Sequence, residues 1–99
     1  ISRAMDKPLI YFFGRNPALM TIVDQQLKAS GINARGFMEE GELTKALESG
    51  EAGMLVIGGG VEPDPRQRVK ELCGRLGVLV LEHWGGPQML PDDIEDALS

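Results

Sequence analysis

Apolar and polar residues along the chain fall into two alternating patterns. Four short runs are expected to be strands, at residues 9–13, 32–38, 52–60 and 78–81. The first, third and fourth have no polar break in their apolar part, which is typical of strands covered on both faces, as in a parallel sheet. The second contains Asn33 and Arg35 and is expected to be a weaker edge strand. The third ends in three glycines and is expected to be central.

Between these runs, apolar residues recur at helical spacing. The segments expected to be helices are residues 17–29, 42–48, 65–76 and 92–98. Asn16 is a suitable N-cap for the first helix, Pro17 fits its first position and Gly31 its end. Asp64 and Pro65 are expected to cap and open the third. The first helix is expected to bury a stripe formed by Leu19, Ile22, Val23 and Leu27. The third is expected to expose Arg66, Lys70, Glu71 and Arg75.

Four repeats of strand followed by helix predict an α/β fold. Alternation of this kind gives a parallel sheet with helices on both faces, and right-handed crossovers leave few topologies. We therefore expect a three-layer α/β/α sandwich with a four-stranded parallel sheet in the order 2-1-3-4. Residues 5–99 are expected to form one domain. Residues 1–4 precede Met5 and are expected to be a cloning remnant.

A candidate site follows from this topology. Ligands of open α/β sheets bind at the carboxyl ends of the strands, where the strand order reverses, here between strands one and three. The expected ligand-binding residues are Gly14, Arg15, Asn16, Gly58, Gly59, Gly60, His83 and Trp84. Glycine amides, a capped helix start and an arginine suit a phosphate or a carboxylate. The favoured alternative is that the three consecutive glycines only form a tight turn, since neither loop carries a dinucleotide-binding or Walker motif.

His83 and Trp84 also allow two interpretations. They could stack on a ligand and hydrogen-bond to it. The favoured alternative is that Trp84 covers the end of the core or an interface while His83 is exposed. Cys73 lies on the apolar stripe of the third helix and is expected to be buried as a small apolar residue rather than to act as a nucleophile.

Composition narrows the range of functions. The net charge of −5 disfavours nucleic-acid binding, which depends on neutralising phosphates. One cysteine allows no internal disulfide and no Cys-rich metal site, so we expect a cytoplasmic protein. Neither a metal nor a cofactor is expected, because the sequence contains no paired cysteines and no H-E-x-x-H, dinucleotide-binding or Walker motif. No run approaches the roughly 18 apolar residues of a membrane span, so no membrane association is expected.

The order of elements resembles the receiver domain of two-component response regulators, within the flavodoxin-like class. The resemblance covers most of residues 8–98 as topology. Receivers have acidic residues after the first strand, an aspartate at the end of the third and a serine or threonine after the fourth. This chain has Gly14 and Arg15, then Ile57 and Gly58, then Glu82 at those places. The resemblance therefore implies a degenerate receiver without phosphorylation-driven switching.

Two functional hypotheses follow. The first is a non-catalytic regulatory or interaction domain, because no nucleophile is paired with a base and no metal ligand with another. The alternative is a binder of, or an enzyme acting on, a small phosphorylated or carboxylated compound. A chain that ends before a fifth strand leaves the apolar strand at 78–81 as an edge, which predicts a homodimer through that edge or through residues 82–99.

Overall fold

The computed structural model describes residues 9–84 and 86–98, in which strands alternate with helices. The expected cloning remnant at residues 1–4 lies outside the described residues. The elements in chain order are β1 (Leu9–Phe13), α1 (Pro17–Ala29), β2 (Ala34–Phe37), α2 (Glu40–Glu48), β3 (Ala52–Gly58), α3 (Pro63–Leu76), β4 (Leu79–His83), a 3-10 turn (Pro87–Met89) and α4 (Leu90–Leu98).

The strands form one parallel sheet in the order β2-β1-β3-β4. Tyr11 of β1 pairs with Arg35 of β2 and with Leu55 of β3, and Leu55 pairs in turn with Val80 of β4. The predicted strand order and the α/β fold are therefore confirmed. The two apolar strands β1 and β3 occupy the centre, and strand order reverses between them.

Each face of the sheet has its own core, because successive side chains of a strand point to opposite faces. The face covered by α2 and α3 buries Tyr11, Phe13, Phe37, Leu43, Leu47, Leu55, Ile57, Val61, Val69, Leu72 and Cys73. The face covered by α1 and α4 buries Ile10, Phe12, Leu27, Met54, Val56, Leu90 and Ile94. The result is the three-layer sandwich. No described helix is long and apolar enough to cross a membrane.

Helix α1 has the predicted ends but not the predicted buried stripe. Asn16 Oδ1 accepts hydrogen bonds from the N–H groups of Ala18 and Leu19, and Gly31 follows the helix with a φ of 76°.

The buried face of α1 differs from the predicted stripe. Leu27 is fully buried, whereas Leu19 and Ile22 are exposed, Leu19 to 46 %. At about 100° per residue, the part of the helix that faces the sheet is centred between Val23 and Leu27, so Ile22 points away from it.

Two further predictions failed at element boundaries. Strand β2 is shorter than expected, because the N–H of Ile32 bonds to the carbonyl of Leu27 and closes the turn after α1 instead of joining the sheet. Helix α3 begins at Pro63, with Glu62 at the N-cap position and Asp64 in the first turn. Both Pro63 and the following proline are tolerated there because N–H groups in a first turn have no intrahelical partner.

The chain after the fourth predicted strand also differs from expectation. Strand β4 runs on to His83, which pairs with Gly58, so His83 belongs to the sheet and not to a loop. Helix α4 starts at Leu90, and Pro91 occupies its second position, where no N–H is needed. Strand β4 therefore ends later in the chain, and α4 begins earlier, than the sequence indicated.

Cys73 is fully buried on α3, as predicted, and burial raises the pKa of its thiol to about 11 from the ordinary 9.0. The native thiol is therefore expected to resist iodoacetamide at neutral pH and to react readily in urea. Because the unfolded thiol ionises first, its contribution to stability should fall as pH rises from about 9 to about 11. Mass spectrometry of alkylated protein measures the protection, and equal labelling of folded and unfolded protein would contradict it.

Candidate functional site

A cleft of about 130 Å³ opens at the carboxyl edge of the sheet, between β1 and β3 on the side of α1 and α4. Seven of the eight residues expected at the site line it: Gly14, Arg15, Asn16, Gly58, Gly59, Gly60 and His83. The eighth, Trp84, lies outside the cleft and is exposed. The remaining wall is apolar and consists of Phe12, Phe13, Leu19, Met20, Val23, Val56 and Leu90.

Arg15 is the cation that lines the cleft, and its guanidinium already forms hydrogen bonds within the protein. Nε donates to Glu62 Oε1 at 3.0 Å, and Nη1 donates to the carbonyl of Met38. The group also lies over the Phe13 ring, 5.1 Å from its centroid. The backbone N–H of Glu62 and the Arg15 guanidinium hold the pKa of the Glu62 carboxyl below its ordinary value. An incoming anion must therefore compete with the exposed Glu62 carboxylate for this guanidinium.

The three-glycine loop is a turn without left-handed backbone. The N–H of Val61 donates to the carbonyl of Gly58, and none of the three glycines has a φ in the left-handed region. The requirement for glycine is instead steric at Gly59, where a Cβ would lie 3.0 Å from the Trp84 ring. Gly60 has open space around it, so no steric contact requires a glycine at that position.

Arg66 was expected on the outer face of α3, and the structure contradicts that expectation. Its side chain is only 11 % exposed. The guanidinium donates to Glu82 Oε1 at 3.0 Å and to the carbonyls of Gly58 and Val61, and it lies 4.5 Å from the centroid of the Trp84 ring. Arg66 thus fixes the β3–α3 loop to the end of β4, and with it one wall of the cleft.

Glu82 connects this arginine to a second cation, since Lys70 Nζ donates to its other oxygen at 2.9 Å. Hydrogen bonds from Lys70 and Arg66 lower the pKa of the Glu82 carboxyl in the folded protein. The carboxylate therefore contributes stability above its unfolded pKa, ordinarily 4.5, and that contribution is lost as pH falls through the folded pKa.

Glu82→Gln is accordingly expected to lower the free energy of unfolding at neutral pH by about 1–2 kcal/mol. Glutamine keeps the shape of the side chain but removes the charge that Arg66 and Lys70 share. Urea unfolding of both proteins at neutral pH and at about pH 3 measures the effect. The difference between them should shrink at the lower pH, and a difference that stays constant would contradict the assignment.

His83 is largely buried, with its side chain 10 % exposed, so the expectation of an exposed histidine is wrong. Its Nε2 lies 2.9 Å from Asp93 Oδ2 on α4, close enough for an ion pair, although the direction of approach is not that of a hydrogen bond. Asp93 was not singled out in the sequence. The contact joins the end of β4 to α4 across the cleft rim.

These contacts define what the edge can do chemically. Each of the cations Arg15, Arg66 and Lys70 already faces a carboxylate, and His83 faces Asp93. Cys73 is buried on the opposite face of the sheet. Within residues 9–84 and 86–98, no three His, Cys, Asp or Glu side chains are grouped to hold a metal ion. The arrangement favours contact with apolar groups over recognition of an anion.

Apolar side chains continue from the cleft onto the surface. Leu19 lines the cleft and is exposed, and Ile22 lies one turn further along α1. Met89 precedes the cleft residue Leu90 and is 53 % exposed. Trp84 presents an exposed ring beside the three-glycine loop. The sequence pattern alone assigned Leu19 and Ile22 to the core, because periodicity does not show how far a helix overhangs its sheet.

Comparison with known proteins identifies the fold. The lactose-specific IIB component domain of the phosphoenolpyruvate:carbohydrate phosphotransferase system from Streptococcus pneumoniae superimposes with a TM-score of 0.69 at 10 % identity, covering 95 % of this chain and all of that domain. A de novo designed Rossmann fold protein gives a TM-score of 0.61 at 14 % identity, covering 92 % of this chain and 96 % of the design. No protein-family model and no curated protein sequence matches the chain. The fold is therefore of the Rossmann and flavodoxin-like α/β type.

Proposed function

We propose that this protein is a small, non-catalytic interaction domain whose cleft accepts apolar side chains of a protein partner. The observation that carries this proposal is the pairing at the carboxyl edge. Arg15 bonds to Glu62, and Arg66 and Lys70 bond to Glu82, whereas the half of the cleft wall that α1, α4 and the strand side chains supply is apolar, and the exposed Leu19 and Met89 lie beside it. Burial of apolar surface is the main favourable contribution to most protein association.

The alternative is a site for a small phosphorylated or carboxylated ligand, and it has support of its own. Gly14, Asn16 and the three-glycine loop lie together at the reversal point of the sheet, where such ligands bind in this class of fold. Binding there would require Arg15 to leave Glu62. Separating this exposed pair offsets a small part of the free energy that the anion gains, and the described residues that line the cleft include no second lysine or arginine, so the alternative ranks second.

The structural neighbour from Streptococcus pneumoniae is compatible with both candidates. Its name describes a component domain of a carbohydrate phosphotransferase system. At 10 % identity the likeness concerns the fold alone. Gly14 and Arg15 follow β1 here, and Gly58 ends β3, so the regulatory role implied by the receiver resemblance would operate without a phosphorylated aspartate.

Titration with indole, observed by NMR, tests whether the cleft accepts an apolar group. Indole is expected to shift the methyl signals of Leu19, Met20 and Val23, since these side chains line the cleft. Leu19→Gln should weaken the response. Leu76→Gln is the matched control, because Leu76 is exposed to a similar degree at the far end of α3. Shifts scattered over the surface and equal in both variants would contradict the proposal.

A homodimer is a second candidate assembly, supported by the outer edge of β4. No strand in the described part of the chain pairs with that edge, and Leu79 at its start is exposed. Unpaired apolar edges associate readily. Light scattering across micromolar concentrations tests this, with Leu79→Lys as the disrupting variant. Dimer mass that Leu79→Lys reduces to monomer mass would support it, and monomer mass throughout would contradict it.

A further inference from the structure

The exposed apolar surface beside the cleft is contributed by two elements that pack against each other, α1 and the 3-10 turn. On α1, Met20 lies at the β2 side of the cleft, with its sulfur beside Gly14 and its methyl group beside Gly36. Leu19 is turned about 100° from Met20, toward the cleft, and Ile22 lies about 60° further in the same direction. Leu19 and Val23 line the cleft together with Leu90, and the 3-10 turn that precedes Leu90 packs against α1. We call Leu19, Ile22, Val23, Met89 and Leu90 the docking groove.

The groove is flanked by a helix of one charge. Helix α4 carries four carboxylates and no cation, at Asp92, Asp93, Glu95 and Asp96. Asp93 faces His83, while Asp92 and Asp96 lie on the exposed side of the helix. On α1, Asp24 and Lys28 form an ion pair, so their charges cancel. The solvent-exposed face of α4 is thus negative, and α4 begins at Leu90, a residue of the docking groove.

We propose that the partner of this domain presents a basic amphipathic helix, with its apolar stripe in the docking groove and its lysine or arginine side chains toward Asp92 and Asp96. This inference rests on the proposed function and specifies the chemistry of the partner. Such a helix is complementary to this surface in two respects. An amphipathic helix that binds an apolar groove supplies apolar side chains at helical spacing. Its positive charge, opposite to that of α4, favours encounter and orientation.

A second copy of this chain fits the groove less well. Docking two copies through this face brings α4 near the α4 of the other copy, and both are acidic. The chain as a whole has a net charge of −5, so long-range repulsion adds to the effect. Acidic peptides and anionic lipid surfaces meet the same repulsion. A basic partner can bind the apolar docking groove and is also attracted by the negative charge of α4.

Two synthetic peptides with the same leucine stripe test the inference, one with lysine and one with glutamate at all other positions. The lysine peptide is expected to bind at least about tenfold more tightly than the glutamate peptide, and more weakly as salt is raised. The double variant Leu19→Gln/Ile22→Gln should weaken it about tenfold, as should Asp92→Asn/Asp96→Asn. Leu76→Gln serves as the apolar control, and circular dichroism confirms that each variant is folded.

The remaining outcomes separate this inference from the proposed function. Equal binding of both peptides would overturn the basic partner while leaving the apolar groove in place. If the lysine peptide binds the Leu19→Gln/Ile22→Gln variant as tightly as the unmodified protein, it adheres to the acidic surface alone. That result would overturn the docking geometry. No binding of either peptide, with indole still bound, would overturn the helical partner alone. Failure of both peptides and of indole would overturn the proposed function as well.

Discussion

Replacing Arg66 with methionine is expected to lower the free energy of unfolding by about 3 kcal/mol. The guanidinium makes three hydrogen bonds, to Glu82 and to the carbonyls of Gly58 and Val61, and packs on Trp84. Methionine fills much of the same space but leaves those acceptors without their donor. An unmet acceptor that is shielded from water costs more than the bond itself contributes.

Urea unfolding at neutral pH measures this loss, with Arg75→Met as the control on the exposed end of α3. Arg66→Lys should lose nearly as much as Arg66→Met, because an ammonium group lacks the planar fork that reaches a carboxylate and two carbonyls together. The emission of Trp84 should also change in the Arg66 variants. A loss below about 1 kcal/mol in Arg66→Met would mean that the loop is held by other contacts.

Leu27→Ala is expected to cost about 3 kcal/mol, and Leu19→Ala on the same helix less than about 1 kcal/mol. Leu27 is fully buried between α1 and the sheet, so its truncation removes apolar contacts and leaves a cavity. Leu19 is exposed to 46 %, so its truncation leaves no enclosed space. For a domain of about this size the first change lowers the melting temperature by roughly 12–24 °C.

Thermal unfolding measures the loss of stability in each variant. The contribution of helix propensity cancels in the difference between the two losses, because both variants replace leucine with alanine inside α1. Equal losses would show that Leu19 belongs to the core, as the sequence pattern predicted. A small loss for Leu19→Ala together with a weakened indole response for Leu19→Gln would show a side chain that matters for binding and little for folding. That separation is expected of an interaction surface.

The sequence was sufficient for the fold because burial follows from local pattern. The unbroken runs that became β1 and β3 are central strands, and their alternation with helices fixed the order β2-β1-β3-β4. Asn16 and Gly31 set the ends of α1 through short-range hydrogen bonds and backbone conformation, which neighbouring residues determine. The position of the cleft followed from the reversal of strand order.

The chemistry of the cleft was harder to predict because it depends on distant partners. Arg15 resembled a ligand-binding cation until the structure placed Glu62 and the Met38 carbonyl on its guanidinium. Arg66 has helical spacing typical of an exposed residue, and only the path of β4 brings Glu82 to it. Asp93 reaches His83 because α4 folds back over the sheet, and no spacing in the sequence encodes that return.

The most direct test of the central claim, that this edge binds apolar groups and not anions, is a thermal-shift panel. It would contain phosphate, nucleotides, flavin mononucleotide and common carboxylic acids, each compared with sodium chloride at equal ionic strength. Our account predicts no stabilisation beyond that of the salt. A ligand at about 100 times its Kd would add roughly 2.7 kcal/mol and raise the melting temperature by on the order of 10 °C. A shift of that size, abolished by Arg15→Ala, would contradict the account and identify an anion site.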